Sequence, residues 1–154
     1  MKKRWIFLLL PLFIACSGAQ RVPFERYSVA MNLPVEADSS VFIGTTENFN
    51  GVLRLNAILQ VEQTPIEAVK LIENYGKYYL SADQFKNVWI LEPHKDGVTA
   101  RAKALDVTPE DKTDGYANIG FSRYGSKDKA MVRFRFNHRQ LYIDRKGGVH
   151  ENYQ

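Results

Sequence analysis

The chain has 154 residues, 45% of them apolar and 25% charged, which excludes a disordered or collagen-like chain and leaves room for one globular domain. Its formal charge is +4, but the three cations Lys2, Lys3 and Arg4 stand together at the start, and without them only +1 remains. Overall basicity therefore gives no argument for a nucleic-acid partner.

Behind those three cations comes an apolar run over residues 5–15, followed by small residues at Ala15, Ser17, Gly18 and Ala19. A basic start, a short apolar core and a small-residue junction form the layout of a secretory signal. Crossing a bilayer takes about 20 apolar residues, so the run is too short to span. At its end, Phe13-Ile14-Ala15-Cys16 resembles the lipobox of bacterial lipoproteins. That resemblance implies cleavage before Cys16, a diacylglycerol thioether on its sulfur and acylation of the new amino group. Several acyl chains together give a stable anchor, whereas one does not. Ser17 stands where that family's inner-membrane retention signal would be Asp, which implies the outer membrane, with the domain facing the periplasm. Phe13 departs from the Leu usual there, and ordinary cleavage after Ala19 is the alternative. Cys16 is the chain's one cysteine, so no intramolecular disulfide can form, and lipidation would account for an otherwise stray thiol.

The expected organisation is a signal peptide over residues 1–15, a lipidated N-terminus and tether over 16–40, and an α+β domain over 41–154. Residues 16–40 hold Pro23, Pro34 and little sustained periodicity, although 27–33 could form an edge strand. Residues 52–62 alternate, with Leu53, Leu55, Ala57, Leu59 and Val61 on one face, interrupted only by Ile58. This pattern predicts one long half-buried strand, paired with residues 41–45 across the Asn50-Gly51 turn. Thr64-Pro65-Ile66-Glu67 has the composition of a helix start, and Ala68, Leu71, Ile72, Tyr75 and Tyr79 recur at helical spacing behind it. A second short helix is expected over residues 81–85. Strands follow at 88–91, 98–107, 116–122, 130–136, 141–144 and from Val149 onward. The expected fold is α+β, a single small domain with an antiparallel sheet packed against one or two helices.

Strand 52–62, the Thr64-Pro65 helix start, the tyrosines behind it and Val88-Trp89-Ile90-Leu91 resemble the opening of the START-like helix-grip family. That resemblance implies a sheet wrapped around a helix and an apolar ligand cavity, here near Leu55, Leu59, Leu71, Tyr75 and Phe134. The family's long C-terminal helix has no counterpart in this chain, which ends in strand-like segments.

Residues that could carry chemistry are scattered. His94, His138 and His150 lack the spacing of a metal site, and Glu110 and Asp111 are adjacent in a polar loop. Ser122 lies in Gly120-Phe121-Ser122-Arg123-Tyr124, which has Tyr where a hydrolase nucleophile turn requires Gly. No catalytic residue, metal or cofactor is expected. Charge is uneven: residues 16–120 hold 10 basic and 14 acidic side chains, residues 121–154 hold 8 and 3. Arg133 and Arg135 project from one face of a strand whose other face carries Val132, Phe134 and Phe136, a stripe suited to an anionic envelope protein or anionic lipid. The same residues also fit the plain solvated side of a half-buried strand. The function expected from sequence is therefore a non-catalytic binding or scaffolding lipoprotein of the cell envelope. The alternatives are a helix-grip carrier of a lipophilic molecule and an envelope hydrolase with an unrecognised site.

Overall fold

A computed structural model of the chain describes residues 30–43, 52–93, 100–107, 115–126 and 129–153. Residues 1–15, expected to be a signal peptide, together with Cys16, His94, Glu110 and Asp111 lie outside the described residues. In chain order the elements are β1 (Met31–Pro34), β2 (Ser40–Phe42), β3 (Val52–Arg54), α1 (Asn56–Glu62), β4 (Ala68–Asn74), β5 (Lys77–Ser81) and β6 (Val88–Pro93). They continue with β7 (Ala100–Leu105), β8 (Gly120–Tyr124), β9 (Met131–Phe136), β10 (Arg139–Ile143) and β11 (Val149–His150).

Among the described residues the strands form three antiparallel sheets: β1-β4-β5-β6-β7, β11-β10-β9-β8, and the pair β2-β3. The five-stranded sheet is the middle layer. On one face its Leu71, Leu80, Trp89 and Leu91 pack with Val41, Leu53, Leu55 and Ile58 from β2, β3 and α1. On the other, Ile72, Tyr79, Val88 and Ile90 meet Phe121, Val132, Phe134, Leu141 and Ile143 of the four-stranded sheet.

This arrangement corrects the expected fold class: the protein is mainly β, and its one described helix is α1, seven residues long. The segment expected to be a helix behind Thr64-Pro65 runs without regular structure to Glu67 and then forms β4 and β5. The reason lies in the middle layer. A strand buried on both faces has no polar side, so its apolar residues run on without alternating and can mimic a helical stripe. Within that false helix, Tyr75 and Gly76 have φ of 53° and 81°, a two-residue turn of the type that joins tight hairpins. Ser81, the expected cap of a second helix, ends β5, and its hydroxyl donates to the Asn87 carbonyl at 3.1 Å.

The long strand expected over 52–62 breaks at Leu55. Only Val52–Arg54 is strand, and α1 occupies the rest until Gln63 closes it with φ of 54° and its N–H on the Leu59 carbonyl at 2.9 Å. Ile58, which interrupted the alternation, is the helix's buried apolar anchor at 2% exposure, whereas Val61, on the expected core face, is 59% exposed. The strands expected in the C-terminal half are present with shifted ends. Along β9, Val132, Phe134 and Phe136 are buried, Arg133 is half-buried and Arg135 exposed, as the alternation predicts, while Met131 on the arginines' face is buried as well.

Candidate functional site: the outer face of the four-stranded sheet

Strand register decides which side chains share the solvent face of β8–β11. Because successive residues on a strand point to opposite sides, residues paired with Arg133 and Arg135 lie on their face. One row reads Ser122, Arg133, Tyr142, His150, and the next Gly120, Arg135, Gln140. A third begins Tyr124, Met131. Phe121, Arg123, Val132, Phe134, Leu141 and Ile143 belong to the opposite, inward side.

The two arginines of the sequence reading are thus brought onto one surface, in different settings. Arg133 Nε donates to Ser122 Oγ at 2.9 Å, and its guanidinium carbon lies 5.5 Å from the Tyr124 ring centre. Arg135 is exposed, with its guanidinium across β8 above Gly120, where a Cβ would sit 3.5 Å from Nη2. Among the described residues neither arginine has a carboxylate partner. Other cations do: Lys77 pairs with Glu92 at 2.7 Å, and Arg123 Nη2 meets Glu73 Oε2 at 3.4 Å and donates to the Glu73 carbonyl at 3.1 Å. Burial lowers the Arg123 guanidinium from its ordinary value, with the Glu73 charge acting against that shift.

Three tyrosines that the sequence pattern did not place beside the arginines complete this surface. Tyr124 and Tyr153 have ring centres 4.8 Å apart, and Tyr124 and Tyr142 5.3 Å. Tyr142 is buried beneath its neighbours, while Tyr124 and Tyr153 remain 40% and 36% exposed. Gly125 makes room for Tyr153, since its φ is 89° and a Cβ there would clash with the Tyr153 hydroxyl. The period-two rule could have found Tyr124, two residues beyond Ser122. Tyr153 lies past the last strand, where no periodicity points to it.

His150 Nε2 lies 3.0 Å from Asp144 Oδ2, and Asp144 Oδ1 accepts the Lys146 and Gly148 amides at 2.7 and 2.8 Å. Burial alone would raise the Asp144 carboxyl, but the His150 contact and the two amides outweigh it and hold it below the usual carboxylate range. Ser122 and His150 stand three strands apart in the same row, about 14 Å at the usual strand spacing, too far for nucleophile and base. His138 sits exposed in the turn between β9 and β10. Among the described residues no three His, Cys, Asp or Glu side chains gather as a metal site, and no helix is long and apolar enough to cross a membrane. The residues expected near a cavity are divided by the middle sheet, Leu55 and Leu71 packing on one side and Phe134 on the other.

Comparison with known protein families, curated proteins and solved structures finds no match.

Proposed function

We propose that the chain is a lipid-anchored protein of the cell envelope, held through Cys16 in the outer membrane with its β domain in the periplasm. On this reading the domain binds an anionic partner on the outer face of β8–β11. The sequence of residues 1–17 supports the anchor. What carries the binding assignment is one observation: Arg133 and Arg135 stand on the same face and neither has a carboxylate partner among the described residues. Cation pairs without compensation repel each other, so a face that keeps them suits a negatively charged visitor.

Two experiments test the two halves. Mass spectrometry of the mature protein should find acylated Cys16 as the first residue, and Cys16→Ser should move the domain to the soluble envelope fraction. An unmodified N-terminus at Gln20 would remove the anchor from the proposal. Reversing both charges, Arg133→Glu with Arg135→Glu, should release partners that co-purify from the envelope. Co-purification unchanged in amount and in salt sensitivity would mean that the face is not the binding surface.

A further inference from the structure

We infer that Arg133, Arg135 and Ser122 form a site for a phosphoryl group carried as a monoester or as free phosphate. The inference rests on the anionic-partner reading above and narrows its chemistry. Both guanidiniums lean the same way across β8: Arg133 is bonded to Ser122, and Arg135 lies above Gly120, two residues earlier on that strand. Two residues on one strand face are about 7 Å apart at Cα, a span that two arginine side chains can bridge to close on one tetrahedral anion.

Charge and donor geometry select the ligand. A carboxylate presents two oxygens in one plane and is satisfied by one guanidinium fork, leaving the second cation uncompensated. A phosphomonoester carries nearly two negative charges at pH 7 and three acceptor oxygens pointing in different directions, matching two forks and two positive charges. Ser122 adds a neutral donor. Its oxygen already accepts the Arg133 Nε–H, so its own O–H is left to turn toward an anion between the arginines. Gly120 offers no side chain beside Arg135, and a Cβ there would only reach ordinary van der Waals contact with Nη2, at 3.5 Å. A membrane surface read only as diffuse charge is the weaker alternative: attraction there scales with the number of cations, and binding clusters hold about 4–8 of them.

The test titrates the purified full chain with inorganic phosphate, glycerol 3-phosphate and acetate at pH 7 and constant ionic strength, following the arginine Nε–H resonances. Either phosphate compound should bind at least about ten-fold more tightly than acetate, and Arg135→Lys, which keeps the charge and loses the fork, should weaken phosphate binding about ten-fold. Ser122→Ala should weaken it by a smaller factor. Stronger binding of glycerol 3-phosphate assigns an ester as the natural ligand, stronger binding of inorganic phosphate assigns the free ion. Arg135 is exposed, so its variant reports on binding without loss of fold, even if changes at half-buried Arg133 perturb stability. Equal affinity for acetate and phosphate, or Arg135→Lys binding phosphate as the wild type does, overturns the site. If that happens while the double charge reversal still releases envelope partners, the anionic docking face stands without the phosphoryl assignment.

Discussion

Glu62 shows how much one residue can decide in this fold. It ends α1 with its side chain turned under the middle sheet, 4% exposed, where Oε1 accepts Trp89 Nε1 at 2.7 Å and Asn87 Nδ2 at 2.9 Å and Oε2 accepts the Lys86 amide at 2.7 Å. The carboxylate therefore fixes the helix to the loop before β6. Glu62→Ala would leave the buried Trp89 Nε1 and the part-buried Lys86 and Asn87 donors without their acceptor, and an expected cost of about 3 kcal/mol follows, measurable by chemical denaturation. A change below about 1 kcal/mol would mean that water replaces the carboxylate without loss. Tyr79 provides a test by pH. Burial, reinforced by Asp144, pushes its hydroxyl up to about 12 from 10.0. The folded state thus keeps the proton where the unfolded chain releases it, so the stabilisation is complete below pH 10 and falls as pH rises from 10 toward 12. The loss should reach about 2–3 kcal/mol across that window. Tyr79→Phe should flatten that part of the denaturation profile, and identical alkaline slopes in the two proteins would contradict it.

At the scale of elements, α1 separates what the sequence made legible from what it hid. Outer strands with one wet face, such as β9, announce themselves by alternation, and both faces of β9 were readable down to Arg133 and Arg135. The middle strands β4 and β5 were not, because burial on two sides puts apolar residues on both faces, Leu71 and Leu80 on one and Ile72 and Tyr79 on the other, and erases the period of two. Residues 52–62 misled for the opposite reason: a two-residue alternation of leucines and polar groups persisted through a segment that turns helical at Asn56. The outer face of β8–β11 was legible in its charges and hidden in its tyrosines, since Tyr153 reaches it from outside any strand. Substitution separates the two descriptions of this segment. Ile58→Ala and Leu55→Ala should each cost about 2–5 kcal/mol, because both side chains are buried, while Val61→Ala should stay within about 0.5 kcal/mol. A continuous strand would reverse the ranking of Ile58 and Val61. Denaturation midpoints of the three variants decide between them.

At the scale of the molecule, the middle sheet lies between two apolar clusters and contributes side chains to both. Ile58 belongs to the cluster beneath α1, and Ile143 to the cluster between the five-stranded and four-stranded sheets. Each isoleucine loses one methyl group on truncation to valine, for an expected cost of about 0.5–1.5 kcal/mol. Stacked sheets lie about 10 Å apart, so side chains on opposite faces of the middle layer share no cavity that either could relax into. The two costs should therefore add to within about 0.5 kcal/mol in the double variant, with a single unfolding transition. Ile143 and Val132 form the contrasting pair: they face each other across β9 and β10 in the same cluster, and both are fully buried. Truncating both opens adjoining space, and their combined cost should depart from the sum by about 0.5 kcal/mol or more. Coupling between Ile58 and Ile143 as large as that between Ile143 and Val132 would mean that the middle sheet does not divide the core. Separate unfolding transitions for the two clusters would mean that it fails to unite them.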